Sequence, residues 1–372
     1  MPPNGGLIVN ERSALGLSAV WRAVALISGT VAALPVKTYR KDSNGIKTPV
    51  PSLLDNPSGV GVGNGQTSYE WSETVLLHLL LHGNAYLLHL RNQAGVIIGL
   101  LPLHPLGVSI EEDSAAPERK VFVVALDDGK TVRLTTHELT HIPALSTDGI
   151  RGLSPIKVAR ESLTTSLAGE KLAETLFNSG ALVSGMVTPE DDLPAEEARQ
   201  IQEDINLKMH GVQNANTIRV VNRRLKFSSF SLSAEDAQFL QSRSFQVEEV
   251  ARWFGTPPHL LMQTEKQTSW GTGIEEQHRA LGRHTLSPWA NRIEQRLSRL
   301  VPRGQFVEYD FAGLERPNLQ DELTLLMDQV NNGFLTLNEA RAVRNLPPVE
   351  GGDALRLPTY SAVEDTNDND DA

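Results

Sequence analysis

The chain contains no cysteine. Disulfides, thiolate nucleophiles and cysteine-ligated metals are therefore excluded. Positive charge is in deficit: 34 Lys and Arg stand against 45 Asp and Glu, a net charge of −11. That balance argues against avid, surface-wide nucleic-acid binding. It still allows a surface past which DNA slides without being gripped, because phosphate affinity rises with the number of contacting cations. Long apolar runs are missing too. The uncharged run Ala23–Val36 falls short of the roughly 20 residues that span a bilayer. The opening MPPNGGLIVNERS lacks a basic-then-apolar signal pattern. No membrane partner is expected. There is no Walker sequence and no Gly-x-Ser-x-Gly elbow, so the chain reads as a non-enzyme without a cofactor.

What is present is ordinary for a globular protein, with 40% apolar and 21% charged residues over a length of 372. That length suffices for two or three domains. The stretch Ser233–Leu300 organises the chain. Ser233 stands in N-cap position, with Glu235 and Asp236 in the first turn, where the helix dipole favours them. Ala237, Leu240, Val247, Val250, Ala251 and Phe254 recur at helical spacing. Gly255 then offers a C-cap and Pro257-Pro258 forbids continuation. A polar loop follows, LLMQTEKQTSWGTG, and then a second long helix from about Ile274 to Leu300.

Elsewhere, Ser18–Ala33 reads as a helix capped by Ser18. PVKTYRKDSNGIKTPV reads as a hairpin with an Asn-Gly turn. NPSGVGVGNGQTS lacks the Lys-Ser or Lys-Thr and the lead-in strand of a P-loop, so it is a loop. A helix from Ser68 to about Leu81 breaks at Gly83-Asn84. His78 and His82 share one of its faces at metal-ligand spacing; half-buried core histidines are the competing reading, with no third ligand nearby in sequence. Ser154-Pro155 opens a helix running to about Asn178. GALVSGMV is a strand, DDLPAEEARQIQEDINLKMHG a helix, and TIRVVNRRLKFSSFSL a strand-turn-strand. That last segment carries Arg219, Arg223, Arg224 and Lys226, the densest basic cluster, which is either a solvated hairpin or a partner-docking face. QFVEYDF is a strand, a helix closes at Gly333, and Thr336 with Glu339 forms a capping box. The acidic end, SAVEDTNDNDDA, should be disordered.

HELTH, at His137–His141, matches the His-Glu-x-x-His pattern of zinc metalloproteases. Its context does not. β-Branched TVRLTT precedes it and Pro143 follows, leaving room for about one helical turn. A zinc-dependent hydrolase on His137, Glu138 and His141 is thus the alternative reading.

Several of these words fall in a telling order. GNAY in HGNAYLLHL, GLSPIKVARESL, FNSGALVSGMV, FGTPPHLL, SWGTGIEEQ, TLSPWANRIEQRL and LTLNEARAVRNLPPVEGGD together resemble the portal proteins of tailed bacteriophages of the HK97 type. Thr256, where a small apolar residue is commoner, and Asn178-Ser179-Gly180, in place of Asn-Gly-Ala, depart from that pattern. The resemblance implies an α+β portal fold. Residues 1–152 and 274–312 would form an α/β wing, 153–179 and 233–256 paired long stem helices, and 180–232 a small α/β clip. Residues 257–273 would be a tunnel loop, 313–350 a helical crown and 351–372 a disordered tail. Such subunits form a homo-oligomeric ring, usually a dodecamer, in the major capsid protein shell of the virion. The ring passes double-stranded DNA and docks the large terminase subunit and the head-tail adaptor, after assembly in the host cytoplasm. Tunnel-loop residues Lys266, Gln267, Thr268, Ser269 and Trp270 would face DNA. Lys266 either touches phosphate or is structural, and Trp270 either grazes the duplex or packs. Arg219, Arg223, Arg224 and Lys226 would dock partners at the clip. The start at Met1 is short for that family, so an upstream arm that is missing or cleaved is one expectation.

Overall fold

The computed structural model describes residues 8–59, 65–113, 116–126, 128–178, 183–189, 196, 199, 225–231, 235–262, 272–314 and 319–356. The fold is α+β and divides into two compact units, residues 1–310 and 311–372.

The first unit begins with α1 (Glu11–Leu15), opened by a capping box between Asn10 and Ser13. α2 follows (Ser18–Ala32). Its cap is Leu17, which offers no side-chain acceptor, and not Ser18 as the sequence predicts. The reason is α1: Leu17 N donates to Ala14 O at 3.1 Å, so the preceding turn itself launches the helix. α2 buries Val20, Val24, Ile27 and Val31. They pack on α3 (Ser68–His82), which contributes Trp71, Val75, Leu76, Leu79 and Leu80. Each such side chain taken from water adds roughly 1.5–3 kcal/mol. A Thr67–Glu70 capping box starts α3, and left-handed Gly83 stops it.

Among the described residues, four antiparallel sheets accompany the helices. β1 (Val36–Lys41) and β2 (Lys47–Pro49) form the expected hairpin. β1 also pairs, Val36 opposite Tyr309, with β11 (Gln305–Tyr309), at the far end of the unit. β3 (Asn84–Arg91) lies between β4 (Ile97–Leu103) and β8 (Leu139–Pro143). β5 (Val108–Asp113), β6 (Ala116–Ala125) and β7 (Thr131–Leu134) form a meander. Tyr86, Ile110, Phe122, Val124 and Leu139 make a core joining these last two sheets. Trp71 fixes α3 on β4 by donating Nε1–H to Leu100 O at 2.7 Å.

Two separated sequence words meet in one knot. Gly83, in the GNAY segment, and Gly152, before the Ser-Pro helix, touch so closely that a Cβ on Gly83 would strike Leu153 O and one on Gly152 would strike Gly83 O. Asn84 clamps them: its Nδ2 donates to His82 O (3.1 Å) and Gly152 O (2.9 Å), and its Oδ1 accepts from Gly152 N (2.8 Å). Ser154 Oγ donates to Leu81 O at 2.6 Å while capping Lys157 N.

The Ser-Pro helix is two pieces, α4 (Pro155–Val158) and α5 (Arg160–Asn178), parted at Ala159, where ψ is 8°. β9 (Val183–Pro189) pairs with β10 (Leu225–Ser231), placing Lys226 opposite Thr188. α6 spans Glu235–Phe254. The long helix expected from Ile274 to Leu300 is α7 (Thr272–Leu281), a π-turn at Gly282–Leu286, and α8 (Ser287–Leu297). Pro288 supplies the reason. It has no N–H, and its ring would clash with the carbonyl four residues back; widening the preceding turn relieves this.

In the second unit α9 (Leu319–Asn331) ends before Gly333, and α10 (Leu337–Val343) carries the expected Thr336–Glu339 capping box. Arg344 Nη1 bridges Glu322 Oε2 at 2.9 Å. Among the described residues, no helix is long and apolar enough to cross a membrane.

Candidate functional site

The root of the 263–271 segment is the most built feature of the stretch from Ser233 to Leu300. α6 ends in two reverse hydrogen bonds: Thr256 N to Ala251 O (2.9 Å) and Gly255 N to Arg252 O (3.3 Å). That is the Schellman pattern, and it requires the residue after the cap to be left-handed. Gly255 has φ +67°. A Cβ there would also stand 3.1 Å from Thr285 Oγ1. Thr285, on the π-turn, donates its hydroxyl proton to Gly255 O. The wide turn made necessary by Pro288 thus presents a hydroxyl to the end of α6.

Beyond the turn, Pro257 and Pro258 open a short 3₁₀ turn, Pro258–Leu261. Arg22 Nε of α2 donates to Leu260 O at 3.1 Å and ties this turn to the helical core. His259 stacks on His278 of α7, with ring centroids 5.7 Å apart. Burial lowers the His259 pKa, and the neighbouring His278 lowers it further. Met262 is left-handed, at φ +65°, and 76% exposed. A cleft of about 370 Å³ opens here, lined by Glu248, Arg252, Thr256, Pro258, Leu281 and His284 among others. Arg252 lies over the Phe245 ring at 5.2 Å and 3.8 Å from Glu248. The deep hydroxyl of Thr285 is committed to Gly255 O. The site is a mechanical junction that sets the directions in which the chain leaves α6 and enters α7.

The expected tunnel-loop residues Lys266, Gln267, Thr268, Ser269 and Trp270 lie outside the described residues. So do Arg219, Arg223 and Arg224, the Ser233 cap, the acidic end and all of the helix expected at residues 191–211 except Glu196 and Arg199, which are helical. Lys226 is placed by its backbone alone, on β10.

HELTH is not a helix, and this corrects the zinc reading. Residues 136–138 form a turn and 139–143 are strand β8. Glu138 accepts from Thr135 N (2.9 Å) and Thr135 Oγ1 (3.0 Å), and these bonds lower its pKa. It braces its own turn. His137 is exposed, and its carbonyl accepts from His89 and Arg91. His141 is buried, bonds Asn84 Oδ1 through Nε2 at 2.9 Å and stacks on Tyr86 at 4.9 Å. Burial pushes its pKa down to about 3. A strand cannot bring residues four apart to one ion as a helix does.

His78 and His82 acquire a companion that sequence distance hid. His104 comes within 5.6 and 5.2 Å of their rings, and Glu11 meets His82 Nδ1 at 3.2 Å. Burial holds His78 down at about 4 and lowers His82. His104 Nδ1 accepts from Leu106 N at 3.3 Å, an N-cap role. Among the described residues, no three His, Asp or Glu side chains are arranged to hold a metal ion.

Comparison with solved structures defines the class. The fold matches an HK97-family phage portal protein from Corynebacterium diphtheriae with a TM-score of 0.62, covering 83% of this chain and 98% of that one at 20% identity. It also matches, with a TM-score of 0.62 and 22% identity, a chain in the neck of a native gene transfer agent particle computed with C12 symmetry. That match covers 91% of this chain and 92% of the other. This is a portal-type fold. The sequence relatives agree. The probable portal protein of Streptomyces phage phiC31 is 35% identical over 95% of this chain and 80% of its own length. The portal protein of Enterobacteria phage HK97 is 31% identical over 98% and 87%. The family model described as phage portal protein matches residues 18–345. The chain belongs to the phage portal protein family.

Proposed function

We propose that this chain is the ring-forming subunit at one vertex of a phage capsid. The ring, a dodecamer, is the channel through which double-stranded DNA is packaged and ejected. It docks the large terminase subunit and the head-tail adaptor, sits in the major capsid protein shell, and assembles in the host cytoplasm before becoming part of the virion. The observation that carries this reading is the family match across nearly the whole chain. The deficit of positive charge supports it, since a sliding polymer is best served by few counterion-releasing contacts. The junction at Gly255 and Thr285 supports it as well, being a hydrogen-bonded root for the segment proposed to face DNA.

In this reading residues 153–179 and 233–256 are the stem, 180–232 the clip, 313–350 the crown, and residues 1–152 with 274–312 the wing. Lys266, Gln267, Thr268, Ser269 and Trp270 face the channel. Arg219, Arg223, Arg224 and Lys226 dock partners, so Arg223→Glu with Arg224→Glu weakens docking while rings still form. The chain acts by position and shape, without catalysis. Negative-stain electron microscopy with native mass of the purified chain is the test. Rings with a central hole and about twelvefold symmetry are expected. A chain that stays monomeric at every concentration tried defeats the reading.

A further inference from the structure

Beside the knot, positive charge collects without matching acid. Lys120 lies on β6 two residues from Phe122, and so on the same face of that strand. Phe122 stands edge-on to His141, with ring centroids 5.8 Å apart. Lys120 Nζ donates to Gly149 O and Ile150 O at 3.2 Å each, and an ammonium has a further N–H to give. α8 packs along β8 and buries Ile293 and Leu297. Arg296, one turn on from Ile293, is half-buried. Its guanidinium bears on the charge of both Lys120 and His141 and is itself opposed by Arg299. Among the described residues it meets no hydrogen-bond acceptor and no carboxylate. The acid that bears on Lys120 is Asp148. Its Oδ1 is spent on Ile150 N, Arg151 N and Ser146 Oγ. A partly desolvated guanidinium beside an ammonium is costly unless an anion joins them.

His141 adds the opposite demand. It is buried, and Asn84 fixes its tautomer. Asn84 Nδ2 donates to two carbonyls and its Oδ1 accepts from Gly152 N. The amide is thereby oriented, and His141 Nε2 must be the N–H that donates to Oδ1. Nδ1 is left as a bare lone pair with no hydrogen-bond partner among the described residues. Burial and the neighbouring cations keep the ring neutral. The cluster therefore offers donors from Lys120 and Arg296 and one acceptor from His141. A ligand that answers both carries negative charge and a proton of its own.

We propose that Lys120, Arg296 and His141 form a site for a protonated oxyanion, hydrogen phosphate. Its oxygens accept from Lys120 and Arg296, and its hydroxyl donates to His141 Nδ1. Hydrogen phosphate keeps that proton at neutral pH; sulfate and the phosphodiester groups of DNA have none. The site thus selects phosphate over both, and it does not depend on the ring reading.

The test is calorimetric titration of the full-length chain, purified without phosphate, with inorganic phosphate and with sulfate at neutral pH and matched ionic strength. Saturable phosphate binding is expected, about tenfold tighter than sulfate, from the one bond that sulfate cannot make. Equal affinity for the two anions means an adventitious ion only and overturns the proposal. So does phosphate that fails to saturate in the millimolar range. Arg296→Gln should weaken phosphate binding by about tenfold, the loss of a charge-assisted bond. Arg279→Gln, at an exposed arginine on α7, should leave it unchanged. An Arg296→Gln chain that binds as wild type does, or an equal loss in Arg279→Gln, overturns the site. Should Arg296→Gln not fold, the comparison of phosphate with sulfate on the wild-type chain still decides.

Discussion

The knot at Gly83, Asn84 and Gly152 and the junction at Gly255 and Thr285 use one device in two settings. In each, a glycine sits where a Cβ would meet a neighbour. In each, a side chain from a distant segment bonds the backbone beside it. The surroundings differ. At the knot, Asn84 places three hydrogen bonds on backbone and a fourth on buried His141. At the junction, one side-chain hydrogen bond, from Thr285, holds the turn and a cleft opens beside it; among the described residues Thr256 Oγ1 and His259 Nε2 have no hydrogen-bond partner there, as His141 Nδ1 has none at the knot. The first is frame and the second is a mounting. A closely packed glycine tells where two segments touch; the number of hydrogen bonds holding the backbone beside it tells how firmly.

The largest effect is expected at the knot. Gly152→Ala places a methyl group against backbone that cannot withdraw, so a loss of about 4 kcal/mol or more is expected, read by urea unfolding or as loss of soluble protein. A drop under about 1 kcal/mol would show that the knot can open. At the junction Gly255→Ala should cost about 1–2 kcal/mol, the left-handed penalty. Thr285→Val should cost about 1 kcal/mol by removing one hydrogen bond. Equal losses at both glycines would erase the distinction between frame and mounting.

Acid separates the two regions next. Burial keeps the folded pKa of His141 near 3, below the roughly 6.5 of the unfolded chain. As pH falls, the unfolded state takes the proton first. The stability held by neutral His141 is therefore complete above about pH 6.5 and is lost as pH falls toward 3, at up to about 1.4 kcal/mol per pH unit. His78, held at about 4, acts in the same direction. Urea midpoints from pH 7 to 4.5 should fall, and His141→Gln should flatten that limb. A midpoint independent of pH in wild type would remove the knot's claim to be a buried, neutral frame. The smallest effect is expected at Arg22→Ala, about 0.5–1.5 kcal/mol for one exposed hydrogen bond. Its mark should be faster amide exchange confined to residues 259–262, and global acceleration would contradict a local tie.

Much of this was legible beforehand wherever the cause is local. Gly83, Gly255 and Gly333 end helices because a positive φ suits a residue without Cβ. The hairpin of β1 and β2, and the Thr336–Glu339 box, depend on neighbours a few residues away. HELTH is a poor helix for the same kind of reason, since Pro143 and the β-branched residues before it leave room for about one turn. Of the features hidden from the sequence, two have non-local causes and one, the π-turn, has a local cause in Pro288. Ser18 is not the cap because α1, a short helix the sequence reading did not contain, already delivers the chain to Leu17. The π-turn was missed because the apolar spacing of α7 and α8 reads as one helix across Pro288. His104 was missed as the neighbour of His78 and His82 because spacing says nothing about a residue brought back by a sheet.

By itself, the sequence determined most of the longer elements, several of their caps and turns, and the portal family, since propensity, capping and word order are properties of short stretches read in series. The tertiary structure alone decided that β11 closes on β1 across most of the first unit, that Asn84 binds Gly152, and that Thr285 reaches Gly255. These pairings are set by which surfaces exclude water together and which buried polar groups then satisfy one another, and both conditions exist only once the chain has folded back on itself.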